Sequence, residues 1–398
     1  MTPPAPAAAR GATPTAERKL APDLARGVML LLIAMAYAGV YAGVAFGVPA
    51  AEASPVDGVS RFLTVLFLDN RAFPMFAILY GYGMGWLVVR QLSAGTGERE
   101  ARRLLRRRSL YLILFGSAHT FLVFPGEILA SYGLAGLILG WLLFRSDGAI
   151  SRAIAILTPI YALTVTLAML GFAFMGEDDS AEQWGPAGYT TTDDWVERLL
   201  GVPFTPLFIA FAYPLLLLVV LGFRAGRRKL LDAPEAHRGL LTRIAVVGIA
   251  VSVLGALPAA LVTVGALSPG AVSTGLLLAL QVLTGVLGGA GYAALFGLLS
   301  IRLTERRGPV VRAVAAAGQR SLTFYLFNSV LVAAILHPEL GGLGARVDSF
   351  GALCTAFAVW LLGVGIAAWL DRTGRRGPAD ALLRMLVYRG ATKQERER

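Results

Sequence analysis

A chain of 398 residues, 56% hydrophobic and only 15% charged, is too apolar to be an ordinary soluble domain. Its net charge of +11 does not mark a nucleic-acid binder, because the basic residues sit in short clusters between apolar runs, without interleaved aromatics. The single cysteine, Cys354, excludes an internal disulfide and a cysteine-based metal cluster, and its apolar neighbourhood predicts a small packing residue.

In chain order, residues 1–22 are rich in Ala, Pro and Thr and carry Arg10, Arg18 and Lys19, which predicts a disordered cytoplasmic tail. No signal-peptidase site follows, so the first apolar run is read as an uncleaved helix. Crossing ~30 Å of hydrocarbon takes roughly 20 apolar residues at about 1.5 Å each. Ten runs qualify, at approximately 24–48, 72–91, 108–124, 127–144, 152–174, 201–222, 242–266, 272–300, 321–338 and 350–370. The expectation is an all-α, polytopic helical bundle in a lipid bilayer. Residues 23–390 form one membrane domain, followed by a charged tail, 391–398.

Ten spans with the amino terminus inside leave only Arg61, Arg71, Arg198 and Arg346 on the outer side, out of 36 Lys and Arg. That asymmetry predicts a cell-membrane protein with both termini cytoplasmic. The longest outer loop, about 175–200, holds Glu177, Asp178, Asp179, Glu182, Asp193, Asp194 and Glu197 with Trp184, Tyr189 and Trp195. Its aromatics suit the interface as a partial lid. Gly81, Gly83 and Gly85, Gly136 and Gly140, and Gly285 and Gly289 have the spacing that lets helix backbones approach in lipid.

Ionisable and polar side chains at membrane depth are functional candidates, because each is costly there. Three groups stand out. Asp23 and Arg26, three residues apart at the inner end of the first span, can pair on one face. On the outer side, Arg71 begins the second span, and His119 lies about five residues below the Phe124-Pro125-Gly126-Glu127 turn. His119, Glu127 and Arg71 could therefore form a histidine–carboxylate pair with an arginine for an anion or oxyanion, or a structural network tying three helices. In the ninth span, Ser321, Tyr325 and Asn328 share a face, with Ser329 beside them and Gln319 and Arg320 just before. Such a stripe points to a cavity or to interhelical bonding. No metal site is expected, since His237 and His337 belong to loops on opposite sides. Nothing resembles a phosphate-binding Gly-rich loop, a nucleophile elbow or a zinc-binding HExxH.

Several stretches together resemble the YeiB-like bacterial membrane proteins, whose carboxy-terminal half, about 220–390 here, defines domain of unknown function 418. They are Asp23 to Gly27; Arg71-Ala72-Phe73 running into Leu79-Tyr80-Gly81-Tyr82-Gly83; Gly116 to His119; Gly126-Glu127-Ile128-Leu129 with Tyr132; Gly318 to Ser329; and Gly377-Pro378 through Leu383-Arg384 to Tyr388. The chain departs from that pattern at Tyr37, where the family carries Asn, at Glu127 for Asp, and at Asp380-Ala381 for Glu-Trp. The first-span signature is similar to that of membrane acyltransferases that move an acyl group from acyl-coenzyme A to envelope sugars. By that analogy Arg26, Arg106, Arg107 and Arg108 would hold coenzyme A phosphates and His119 would be the general base. Three function classes remain: an acyltransferase-like enzyme, a transporter of small solutes or lipids, and a structural or sensory membrane protein.

Overall fold

The computed structural model describes residues 18–42, 54–175, 187–305 and 307–388. Residues 1–17 and 391–398 of the two expected tails, 43–48 of the first run, and Glu177, Asp178, Asp179, Glu182 and Trp184 of the outer loop lie outside the described residues. Within the described residues the chain is helical, with no strand. The helices are α1 (Leu20–Tyr41), α2 (Pro55–Phe67), α3 (Ala72–Ser93), α4 (Glu98–Leu122), α5 (Leu129–Leu139), α6 (Asp147–Met175), α7 (Thr192–Phe211) and α8 (Leu215–Arg227). They continue as α9 (Arg238–Thr263), α10 (Ala271–Glu305), α11 (Pro309–Gln319), α12 (Ser321–Leu336), α13 (Ser349–Arg372) and α14 (Pro378–Tyr388).

Six stretches are long and apolar enough to cross a membrane, and up to eight if each of two bent pairs is one span. The pairs are α7 with α8, bent by 62°, and α11 with α12, bent by 90°. Two of the ten expected runs stand outside that count. They are α4, whose first turns are crowded with charge, and the short apolar stretch Leu129–Phe144, which is α5 continued by a 3-10 turn. Leucines on the outer faces stay exposed, as at Leu163 (61%) in α6 and Leu254 (68%) in α9. Apolar surface of this kind is stable against lipid, where it would be a liability in water. Cys354 is also exposed on α13, so it is not the packing residue expected from its apolar neighbourhood.

Helix α1 runs through the middle of the bundle, against α3, α10, α11, α12 and α13. It crosses α11 closely because Gly27 and Gly318 carry no side chain. A Cβ on Gly318 would overlap the Asp23 carbonyl, and one on Gly27 would overlap that of Val314. Pairs α3–α8, α4–α5 and α9–α10 pack side by side, and the amphipathic α14 lies against α4 and α12.

Every helix break inside this apolar mass strands backbone groups that lipid cannot satisfy. Between α2 and α3, Asn70 takes a left-handed turn (φ 56°). Arg71 then gathers the carbonyls of Val65 (2.8 Å), Asp69 and, from α9, Ser252 (2.6 Å). At the α11–α12 corner, Arg320 donates to the carbonyls of Ala316 (3.1 Å) and Arg375 (2.9 Å) and reaches Asp371 at 3.2 Å. At the α7–α8 bend, the Tyr161 hydroxyl donates to the Ala210 carbonyl and accepts from the Leu216 amide at 3.3 Å.

These bonds give two of the candidate arginines partners in the fold. Arg71 has no bond to Glu127 or His119 and closes a helix end instead, which spends its fixed fork of donors on carbonyls. Arg320 likewise clamps the corner, through the Ala316 carbonyl of α11 and Asp371 of α13. Arg71→Ala should therefore cost about 3 kcal/mol or more of stability, since buried carbonyls lose their donor at about 1–3 kcal/mol each. Thermal unfolding in detergent checks this, and an unshifted melting curve would contradict the clamp.

Candidate functional site

One end of the bundle is basic. Between Arg18, Arg26 and Arg108 it opens into a cavity of about 260 Å³. Phe76, Tyr80 and Tyr132 wall the cavity, and Tyr325 lies at its edge. The three carboxylates that line it are engaged by protein donors. Asp23 lies 3.5 Å from Arg18 and 3.7 Å from Arg26, as the three-residue spacing suggests. Asp232 accepts from the Tyr82 hydroxyl (2.8 Å), and Asp380 accepts from Thr323 Oγ1 (2.7 Å) and amide (3.0 Å). The basic groups outnumber the acids around this mouth, with Lys19 also lining it and Arg108 Nε lacking an acceptor among the described residues. An anion therefore finds partners here that the protein does not already occupy.

Behind the cavity lies a buried polar cluster. Glu127 has no solvent exposure. Its carboxylate accepts from the amides of Leu129 and Ala130 (2.9 Å for the latter), so it caps the first turn of α5, where the helix dipole favours a negative charge. Gly116 on α4 makes room for this, because a Cβ there would strike Glu127 and Ala130. The Tyr325 hydroxyl donates to Glu127 Oε1 at 3.1 Å and accepts from the Tyr37 hydroxyl. The His119 ring lies 5.6 Å from that of Tyr325, and its Nε2 is 2.9 Å from Ser329 Oγ. Among the described residues, His119 Nδ1 is buried without a partner, as is the Tyr132 hydroxyl beside the cavity.

The stripe on α12 thus divides its work. Ser321 and Tyr325 face the cavity, Ser329 meets His119, and Asn328 donates to the Leu30 carbonyl of α1 at 3.3 Å. Gln319 lines the cavity and offers its carbonyl to Arg18 at 3.3 Å. Glu127 and His119 come together only through α12, with no direct bond. Arg107 stands apart: it lines a groove on the other side of α4, with Arg106, because neighbouring helix positions diverge by about 100°.

The end of the bundle opposite the basic mouth is closed. Phe124 packs on Tyr37 (4.6 Å) and Tyr41 (5.8 Å), and Tyr41 on His337 (5.8 Å). Above them the Arg198 guanidinium sits 3.8 Å over the Tyr189 ring and donates to the carbonyls of Gly188 (2.8 Å) and Ala187. Trp195 donates to the Tyr189 carbonyl at 3.2 Å. Tyr189 and Trp195, two of the three aromatics expected in a lid, pack around Arg198, with Trp195 in the first turn of α7 and not in a loop, while Trp184 lies outside the described residues.

Sequence reasoning missed Tyr37 and Tyr132 as site residues. A tyrosine deep in an apolar helix, away from any interface, was the available signal, because its hydroxyl needs a partner. Replacing Glu127 with Ala should cost about 2 kcal/mol or more, since two amides and Tyr325 lose their acceptor, and Glu127→Gln should cost less by keeping one carbonyl oxygen. Melting in detergent reads both, and equal curves for wild type and Glu127→Ala would rule out the cap.

Comparison with known proteins places this architecture. Residues 225–390, from the end of α8 to past α14, match the family model described as a protein of unknown function, DUF418. The chain is 25% identical over 397 residues to the uncharacterised protein YeiB of Escherichia coli (strain K12), covering 94% of this chain and 97% of that protein. It is 25% identical over 360 residues to the uncharacterised protein YxaH of Bacillus subtilis (strain 168), covering 84% of this chain and 83% of that protein. No solved structure matches. Tyr325, Ser329 and the α11–α12 corner fall inside the matched domain, whereas Tyr37, His119 and Glu127 lie before it, in the part that only the full-length relatives cover. The polar cluster is thus shared between the part that matches the DUF418 model and the part before it, and over most of its length the chain is similar to the YeiB and YxaH proteins.

Proposed function

We propose that this protein is a plasma-membrane acyltransferase-like enzyme that takes an acyl group from a cytoplasmic acyl-coenzyme A and passes it to a cell-envelope acceptor. One observation carries the reading: the cavity with a guanidinium-rich mouth ends against a buried cluster that holds a histidine with a free ring nitrogen. Arg26 and Arg108 suit the phosphates of the donor, because guanidinium groups match phosphate oxygens in geometry and charge. The acyl chain would lie along Phe76, Tyr80 and Tyr132.

In the reaction, an acceptor hydroxyl or amine attacks the thioester carbonyl, a carbon–oxygen or carbon–nitrogen bond forms, and the carbon–sulfur bond breaks with the electron pair leaving on sulfur. His119 takes the acceptor's proton as general base. Tyr37 and Tyr325 spend their hydroxyl protons on Tyr325 and Glu127, so the Tyr132 hydroxyl, without a partner among the described residues and beside the cavity, is the donor for the reacting carbonyl. Ser329 orients the imidazole through Nε2.

The membrane orientation belongs to the same proposal. The clustering of Lys and Arg puts the basic mouth and both termini in the cytoplasm. Single cysteines introduced into a Cys354→Ala background at Asp193 and Glu235, both exposed, should label from outside at residue 193 only. Labelling at 235 alone would invert the protein.

A second reading, transport of a small solute or lipid, draws on the closed lid at one end and the open mouth at the other, one state of an alternating-access cycle. The two separate in one experiment. Purified protein is titrated with acyl-coenzyme A donors of increasing chain length, reading thermal shift and released coenzyme A thiol. The enzyme predicts stabilisation by a donor and release that falls about a hundredfold or more in His119→Ala. No stabilisation at millimolar donor would overturn it, and flux into proteoliposomes without coenzyme A would then favour transport.

A further inference from the structure

The outward face of α4 carries a second basic site that the acyl-transfer reading does not use. Arg99, Arg103 and Arg106 recur at helical spacing on one exposed face, with Arg107 half-exposed beside them. The same stripe continues toward the opposite end of the bundle as Leu110 (47% exposed) and Leu114 (60% exposed). Together they line one groove. Arg108 and His119, by contrast, belong to the face of α4 that looks into the bundle.

Positively charged residues at the end of a span are expected as a topology signal. That signal needs charge near the interface, and it does not need the charges to stand on one face or to lead into exposed leucines. Among the described residues, only Arg102 in the groove is tied down, by Glu98 at 2.6 Å, and it also lies over the Phe144 ring at 4.4 Å. Arg103 and Arg106 have no carboxylate partner among the described residues. From Arg103 to Leu114 the helix rises by about 16 Å, enough to carry a headgroup at one end and the upper part of an acyl chain at the other.

We infer that this stripe of α4 binds an anionic phospholipid of the bilayer, with the lipid phosphate among Arg99, Arg103, Arg106 and Arg107 and an acyl chain along Leu110 and Leu114. A soluble anion would use the arginines and leave the leucines idle. A zwitterionic lipid would use the leucines and gain little from four guanidinium groups. An anionic lipid uses both, and each arginine near such a surface adds a comparable increment of attraction.

The test titrates delipidated, detergent-purified full-length protein with phosphatidylglycerol, with phosphatidylcholine of the same acyl chains, and with coenzyme A, reading melting temperature. Phosphatidylglycerol should stabilise the wild type and phosphatidylcholine should not. The triple variant Arg103→Gln/Arg106→Gln/Arg107→Gln should keep the lipid-free melting temperature and need about a hundredfold more phosphatidylglycerol, from three surface increments. Arg108→Gln should keep the wild-type response. If the triple variant is unstable without lipid, the single Arg103→Gln, with about a fivefold weakening, takes its place. Equal stabilisation by the two lipids, or a triple variant that responds as wild type, would overturn the inference. A coenzyme A response that vanishes in the triple variant would give the groove to a soluble anion and overturn it as well.

Discussion

The need to satisfy backbone polar groups in a water-free interior governs this structure. A continuous helix satisfies itself, but this chain breaks its helices repeatedly at depth. Each break is closed by one buried polar side chain with the donors or acceptors that the break lacks: Arg71 for carbonyls, Arg320 for carbonyls at a corner, Tyr161 for one carbonyl and one amide, Glu127 for amides. The polarity of the side chain follows the polarity of the exposed helix end.

That rule separates the polar side chains that close helix ends from those that do not. Once the closing groups are assigned, a short list of buried polar side chains remains with no helix end to serve. His119, Tyr37, Tyr325 and Tyr132 are on it, and they converge next to the cavity. Glu127 belongs to both sets. It caps α5 and also terminates the hydrogen bonds from Tyr37 through Tyr325, so the site is anchored to a helix start and does not depend on a loop for its geometry. Small residues then permit the assembly. Gly116 lets α4 approach the carboxylate, and Gly27 and Gly318 let α1 and α11 bring Tyr37 and Tyr325 to one place.

Helix α4 shows how one element serves two surroundings. Its inward face carries Arg108, Ser109, Gly116 and His119, small or polar groups that meet the cavity and α5. Its outward face carries arginines near the basic end and leucines beyond, the order of charge and apolarity found in a bilayer leaflet. A single hydrophobicity profile averages these faces, which is why α4 falls short as a span by composition although it packs as a full member of the bundle.

The residue sequence by itself determined the helical membrane class, the approximate positions of the apolar runs and the polar stripe on α12, because run length, charge spacing and the 3.6-residue period are local properties. It also singled out His119 and Glu127 as costly at depth. Only the tertiary structure decided which of the costly residues close helix ends and which meet beside the cavity. Arg71 and Glu127 look equivalent in sequence, each a charge beside an outer turn, yet one is spent on the carbonyls of α2 and α9 while the other faces Tyr325. Tyr37 looked like a departure from a familiar pattern and proved to bond into the cluster. Partners distant in sequence, such as Tyr37 and Tyr325 or Arg71 and Ser252, are set by how helices cross, and helix crossing depends on the packing of the whole bundle at once.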